Sequence, residues 1–244
     1  TTKMAGQVTF NTGYVDHDDT TLASDDTKLH MTYDAKYDLY SSFTGRDQLY
    51  TRIRAGNGVG PFEDVTPGNG SASTGTHLSK SNSSGGSLTV DKIWYQFPIG
   101  DDITAWVGPR IENYYMLASS PSIYKPVTKQ FALGGNGNTY GSSTSPGFGF
   151  AWTQPTESRA DARFAVSSNF ATYGADNAST GLMSSDGNSK WLSKVEYGSS
   201  QWQVSAAMAV HNGSKDWGTY YNTSGAAPTG DQTAYALRGY WRPD

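Results

Sequence analysis

Apolar and polar residues alternate with a period of two from Lys28 to Gly56, and a short polar turn divides this stretch into two segments. Apolar residues dominate the odd positions from Leu29 to Phe43, and polar residues occupy the even positions up to Asp38. Because successive side chains of a β-strand point to opposite faces, the pattern predicts a strand with one apolar and one polar face. Its predicted length of about fifteen residues exceeds that of most soluble strands and suits a tilted strand that crosses a membrane.

The same period predicts about ten strands, whose connections are alternately short and long. The short connections are predicted at residues 44–47, 98–102, 154–160 and 198–201. The long ones are predicted at residues 16–27, 57–87, 112–146, 171–189 and 212–232. Short turns at one rim and long loops at the other are typical of bacterial outer-membrane barrels. The predicted fold class is therefore all-β, an antiparallel transmembrane β-barrel.

The connection at residues 112–146 differs from the other long connections in its apolar content. The others are rich in Gly, Ser, Asn and Thr, which cannot build a core. We therefore expect residues 112–146 to fold inward against the barrel wall and to form a constriction loop.

Composition narrows the class of protein further. Aromatic residues make up 13% of the chain, glycine occurs 28 times and only 16% of residues are charged, which favours strands and turns. No run of about eighteen apolar residues occurs, which excludes a helical membrane span. The mean hydropathy of -0.58 does not exclude a barrel, because every second residue of a barrel strand is polar. The net charge of -4 gives no support for nucleic-acid binding.

Five stretches of the chain carry a family resemblance: TTKMAGQVTF, LYSSFTGRDQLYTRIRAGN, LTVDKIWYQFPIGDDITAWVGP, ALGGNGNTYGSSTSPGFGFAW and ALRGYWRP. At these stretches the chain resembles the OprB-like carbohydrate-selective porins, and in particular their branch of cyanobacterial major outer-membrane (iron-uptake) porins. The second and third stretches are the most specific. The resemblance implies that residues 1–244 are a porin β-barrel domain, located in the bacterial outer membrane as a homotrimer. It also implies a cargo of inorganic ions more than sugars.

The same resemblance implies a longer protein than the 244 residues present. Members of the branch carry an N-terminal domain that binds peptidoglycan, a coiled-coil segment and a barrel of about sixteen strands. We therefore expect an incomplete barrel that lacks the wall-anchoring domain and the last strands. A closed barrel of about ten strands is the alternative.

Charges on the polar faces are the candidates for ion selection, because charges that line a narrow channel select ions by sign. The candidate pore-lining residues are Arg52, Arg54, Lys92, Trp106, Arg110, Arg163, Lys194 and Arg238, opposed by Asp34, Asp38 and Glu196. A cluster of Arg52, Arg54 and Arg110 at the constriction would favour anions or sugars, since guanidinium binds planar oxyanions through two bonds. Tyr50 and Trp106 could stack on a sugar ring. The alternative for each charge is that it hydrates the lumen or pairs with a neighbouring strand.

Enzyme chemistry finds no support in the sequence. The four histidines, His17, His30, His77 and His211, are scattered, and neither an HExxH nor a GxSxG motif occurs. We expect no catalytic residue, no metal and no cofactor, and we interpret the chain as a porin for passive diffusion of small hydrophilic solutes.

A secreted soluble β-sandwich that binds carbohydrate is the competing interpretation. The two differ in where one set of apolar side chains points: Leu29, Met31, Leu39, Ile53, Val107 and Phe164. A porin turns these side chains outward to lipid, whereas a sandwich buries them between two sheets.

Overall fold

A computed structural model describes residues 1–16, 27–59, 62, 76–141, 144–158, 160–185, 187–213 and 230–242. Ten strands account for most of these residues: β1 (Thr2–Gly13), β2 (His30–Ser41), β3 (Gln48–Gly56), β4 (Thr89–Ile99), β5 (Ile103–Glu112), β6 (Thr144–Thr153), β7 (Arg163–Tyr173), β8 (Asn188–Gly198), β9 (Trp202–Asn212) and β10 (Gln232–Trp241). Helical structure in these ranges is confined to two 3-10 turns, Asn113–Tyr115 and Lys129–Gly135, and one short helix, α1 (Gly137–Tyr140). None of these helical elements has the length and apolar character that a membrane-crossing helix requires.

Each strand pairs antiparallel with its neighbours in the chain, so the ten strands form one sheet in the order β1 to β10. The prediction of an all-β, antiparallel fold is thus confirmed. In the described part of the chain β1 and β10 are the two edges, and the sheet is not closed. The connections at residues 42–47, 100–102, 154–162 and 199–201 are short and the others are long, as the periodicity predicts.

The second strand is shorter than predicted, at 12 residues instead of about fifteen. Beyond Ser41 the alternation of residue types continues, but the Asp47 carboxylate accepts hydrogen bonds from the amides of Phe43 and Thr44 at 3.0 and 2.7 Å. These hydrogen bonds fold the backbone into a turn, which ends the strand at Ser41. A residue pattern alone cannot reveal where such a side chain captures the backbone.

The two faces of the sheet have opposite character. One, the apolar face, exposes large hydrophobic side chains: Met31, Val107, Phe150, Phe164, Val195, Val204 and Leu237. The other, the polar face, carries hydrophilic side chains that are buried: Thr32, Asp34, Lys92, Asn169, Lys190, Lys194, Glu196, Ser205 and His211. This is the reverse of a water-soluble sheet, in which the hydrophobic face is the buried one.

The polar face is covered by residues 113–141, here called the inner segment. Its Tyr115 hydroxyl accepts a hydrogen bond from Arg52 of β3 at 3.4 Å, and its Ser120 carbonyl accepts one from Arg238 of β10. These two contacts carry the segment across the polar face from β3 to β10. The connection therefore packs against the strands, as its apolar content predicts.

Apolar residues of the inner segment anchor it in the polar face. Met116 packs beside Trp94 and Ile111, and Leu117 and Tyr140 belong to a second cluster on β8 to β10. The part of this second cluster that lies on β9 and β10 consists of small residues: Ala207, Ala209 and Ala236. Because these side chains end at Cβ, the segment can approach the sheet closely. Burial of Met116 and Leu117 contributes about 1.5 to 3 kcal/mol each.

Asp47 joins the β2–β3 turn to β4, because its carboxylate also accepts a hydrogen bond from the Tyr95 hydroxyl at 2.7 Å. This bond and those from the turn lower the pKa of Asp47 below its ordinary value. We predict that Asp47→Ala lowers the urea midpoint of unfolding at neutral pH, measured by tyrosine and tryptophan fluorescence. A group whose pKa is lowered by folding stabilises only above its unfolded pKa, so the difference from wild type should shrink as the pH falls below about 4. Asp102→Ala, in the exposed β4–β5 turn, is the matched control; an equal loss in both variants contradicts the assignment.

Candidate functional site

Charged residues of the first strands stand in rows across the polar face. Lys36 of β2 lies opposite Gln7 of β1 and Arg54 of β3. In the next row Arg52 lies between Asp38 of β2 and Lys92 of β4. Directly opposed residues in antiparallel strands share a face and are close neighbours. The register of the strands therefore places these charges within reach of one another.

Both arginines of β3 are paired with carboxylates of β2. Arg54 contacts Asp34 through Nε at 2.7 Å and Nη2 at 3.0 Å. Arg52 contacts Asp38 through Nε at 2.7 Å and Nη2 at 3.4 Å. The Tyr50 hydroxyl donates to the same Asp38 at 2.6 Å. Arg52 and Arg54 thus form cross-strand ion pairs. The sequence left such pairing open as the alternative to charges that line a channel and select ions.

Lys92 is paired in the same way. A register shift in the β3–β4 ladder at Arg52 and Ile53 places an extra residue, Asp91, beside it. The Lys92 ammonium contacts Glu112 and lies 3.5 Å from Asp91. Arg52 is 3.8 Å from that same Asp91. A network of alternating sign thus runs from Asp38 through Arg52, Asp91 and Lys92 to Glu112. Attraction within it offsets much of the cost of desolvation.

Aromatic rings pack at tilted angles beside this network. Tyr40, Tyr50, Trp94 and Tyr115 follow one another with ring centroids 5.4, 4.2 and 5.6 Å apart. Tyr50 is buried, as is Trp106, whose Nε1 donates to Gln96 at 2.9 Å. Neither of the two rings expected to stack on a sugar is thus open to a ligand.

The cations of β8 and β10 hold the inner segment. Lys194 donates to the carbonyl and hydroxyl of Ser119 at 3.1 and 2.7 Å, and it pairs with Glu196. Glu196 in turn accepts a hydrogen bond from the Ser119 hydroxyl at 2.7 Å. Arg238 donates to the Ser120 carbonyl. Lys194 and Arg238 therefore act here as clamps on the backbone of the segment.

Two further clamps were missed in the sequence reasoning. Lys190 is fully buried and donates to the Gly141 carbonyl at 3.0 Å, and the His211 Nε2 lies 3.1 Å from the Asn138 carbonyl. Lys190 stands four residues before Lys194, so strand periodicity puts both on one face and could have found it. His211 lies directly opposite Lys190 in the β8–β9 ladder, and the period of β9 places it on the same face. The sequence does not reveal the partner of either residue, because both partners come from a connection distant in sequence.

Arg110 departs from the prediction. A register shift between Gly108 and Ile111 in the β5–β6 ladder moves Ile111 into a fully buried position. Arg110 is exposed, with its Nε 3.4 Å from the Asp91 carbonyl. The expected cluster of Arg52, Arg54 and Arg110 is therefore not formed, because the bulge reverses the alternation of faces. Arg163 lies half-buried at the short-turn rim, opposite Gly198.

Uncharged oxygens are also the partners of Lys190, Arg238 and Lys80, as they are of Arg110. Lys80, in the β3–β4 connection, lies 3.4 Å from the Gln7 amide oxygen, and burial lowers the pKa of Lys80. Burial also lowers the pKa of nearby His77 to about 4, so this histidine is neutral at pH 7. Within the described ranges no group of three or more acidic, histidine or cysteine residues is arranged to bind a metal ion.

Comparison with known proteins leaves the family unassigned. No family model matches the chain, and no solved structure matches it. A protein of Synechocystis sp., named Uncharacterized protein sll0772, is 29% identical over 111 residues, which is 44% of this chain and 19% of that protein. The match therefore spans less than a fifth of the relative's length.

We predict that Lys194→Met loosens the inner segment, because it leaves Glu196 buried without its cation at a cost of about 3 kcal/mol. Hydrogen exchange should report this at the Ala118 amide, which donates to Ser167 at 2.8 Å, with exchange about a hundredfold faster. Adding Glu196→Gln should restore most of the protection, since the unpaired charge is then gone. Lys28→Met, at an exposed lysine, is the control. Unchanged exchange in Lys194→Met contradicts the clamp.

Proposed function

We propose that this chain is the β-barrel domain of an outer-membrane porin, through which small hydrophilic solutes, above all inorganic ions, diffuse passively. The observation that carries the proposal is the inverted sheet, with its hydrophobic side chains outside and its charges inside.

Exposure of the apolar face supports a lipid environment. Leu237 is 83% exposed, Met31 64%, and both Phe164 and Val195 are 50% exposed. Contiguous apolar surface of this kind marks a membrane or a protein interface, because contact with water is unfavourable. A curved antiparallel sheet with an apolar outer face is the arrangement of outer-membrane barrels.

Strand length and aromatic placement agree with this proposal. The strands have 9 to 12 residues, and a tilted strand needs about 9 to 11 to cross the hydrocarbon. Aromatic pairs lie near the short connections: Phe43 with Tyr95, and Tyr197 with Trp202. Aromatic side chains of this kind form girdles at the headgroup level of barrels.

In hydrocarbon every backbone polar group must be paired, so β1 and β10 both need partners for the proposed barrel to be closed. The inner segment takes the role of the constriction loop, because it crosses the polar face from β3 to β10. The proposed setting is the outer membrane of a cyanobacterium, with a homotrimer as the assembly and peptidoglycan as a further partner. These last elements rest on the family resemblance.

The soluble carbohydrate-binding module is the less supported alternative. A sandwich would cover the apolar face with a second sheet, whereas the described residues form a single sheet. The aromatic rings on which sugars would stack, Tyr50 and Trp106, are buried.

An arginine on the apolar face separates the two functions. We predict that Val195→Arg, in the middle of β8, prevents folding into liposomes, since a lipid-facing arginine costs about 2 to 4 kcal/mol near the bilayer midplane. The measurement is the folded fraction in lipid by resistance to protease. Ser200→Arg, in the exposed β8–β9 turn, should fold as wild type does. A Val195→Arg chain that folds normally and stays in water without detergent argues for the soluble module.

Conductance in planar bilayers tests the channel itself, with the full-length protein. We predict that Arg52→Gln increases the ratio of cation to anion permeability several-fold, because Asp38 is left unpaired on the polar face. Arg52→Gln combined with Asp38→Asn should return the ratio close to that of wild type, since a neutral pair is removed as a unit. A ratio that does not change in the single variant removes Arg52 from the selectivity argument. Absence of any conductance contradicts the proposed function.

A further inference from the structure

Three cations and one carboxylate meet where β1, β2 and β3 cross the polar face. Asp34 accepts from both Arg54 and Lys36, the latter at 2.9 Å, and is almost completely buried. One carboxylate therefore serves two cations. The Lys36 ammonium retains donors beyond its bond to Asp34, because each ammonium carries three.

Lys80 brings the third positive charge to the same row. Its ammonium lies 3.4 Å from Gln7, the residue directly opposite Lys36. The backbone around Lys80 is fixed, since Asn11 donates to the Lys80 carbonyl at 2.9 Å and Arg54 donates to the Ser81 carbonyl at 2.6 Å. Lys80 thus reaches the polar face from the β3–β4 connection, at the residue that neighbours Lys36 in the sheet.

A fourth cation, the exposed Lys125, approaches from the inner segment. The neighbouring residues tie the two connections together, because Ser79 donates its amide to the Val127 carbonyl at 2.8 Å and its hydroxyl to the Pro126 carbonyl. Burial lowers the pKa of Lys80, the Asp34 carboxylate raises it, and Lys125, Arg52 and Arg54 lower it, as expected when several cations share one carboxylate.

This place differs from the rest of the charged network in the balance of its charges. Arg52 has Asp38, Lys92 has Glu112 and Lys194 has Glu196. Lys190 and Arg238 are committed to carbonyls of the inner segment. At Lys36, Arg54 and Lys80 the contacts among described residues supply a single carboxylate, Asp34. An excess of positive charge at a partly buried place attracts anions.

We propose that Lys36, Lys80 and Arg54 form a binding site for a small doubly charged oxyanion, such as inorganic phosphate or sulfate. Ammonium groups recognise such an anion by charge and through charge-assisted hydrogen bonds. The fork of Arg54 is occupied by Asp34, so Lys36 and Lys80 make the direct contacts and Arg54 contributes charge. This inference deepens the proposed function, on which it rests, since the site would select divalent oxyanions among the solutes that enter the channel.

Calorimetric titration of the folded full-length protein in detergent, with inorganic phosphate and separately with sulfate, tests the site. We expect Lys80→Gln and Lys36→Gln each to weaken binding about tenfold or more. Lys80→Arg should keep the affinity within about threefold, because the charge is retained. Lys28→Gln removes an equal charge from an exposed position outside the site and should bind as wild type does. Circular dichroism establishes that each variant retains its strands.

Every outcome decides the proposal. Wild-type affinity in Lys80→Gln, an equal loss in Lys28→Gln, or no binding of either oxyanion to the folded wild type overturns the site. Binding of only one of the two oxyanions supports the site and identifies its ligand. Calorimetric titration measures binding and does not require transport. If Lys80→Gln weakens binding in a protein that shows no conductance, the site is supported and the proposed channel is contradicted. If the protein conducts ions but shows no such binding, the site is overturned and the proposed channel stands.

Discussion

Burial of charge on the polar face of the sheet is the constraint on which the remaining structure depends. A charge removed from water is tolerated only when a partner of opposite sign or several hydrogen bonds replace its hydration. Across β2 to β5 that partner is a carboxylate on the adjacent strand, as with Arg54 and Asp34. Across β8 to β10 it is largely the backbone of the inner segment, as with Lys190 and Gly141. The register of the strands and the position of the segment are therefore coupled.

The same constraint explains the character of the opposite face. Each strand alternates, so a sheet that uses one face for charges must present its hydrophobic residues on the other. The described strands leave that face open, with Leu237 and Met31 among the exposed residues. The proposed lipid environment satisfies both faces at once, since lipid covers the apolar side and water, the inner segment and ion pairs serve the polar side.

Pairing changes which residues carry uncompensated charge toward the proposed channel. Arg52 and Lys92 stand on the polar face as predicted, yet their charge is shared with Asp38 and Glu112. Arg110 leaves this face because a β-bulge reverses the alternation just before it. The excess of positive charge lies instead with Lys80. This residue belongs to the β3–β4 connection, where side chains do not follow the alternation of a strand. Selection by charge, in the proposed channel, then depends on loop placement more than on the arginines of the strands.

Residue pattern is enough to predict the strands, their antiparallel order, the alternation of short and long connections and the face on which most charged residues lie. Those properties follow from a local period of two and from turn composition, which need no knowledge of distant residues. The bulges beside Lys92 and Arg110, the partners of each cation and the contact of Lys80 with Gln7 are visible only in the folded chain. These depend on contacts between residues far apart in the chain, where register shifts and loop paths are set by packing and by the need to pair buried charge.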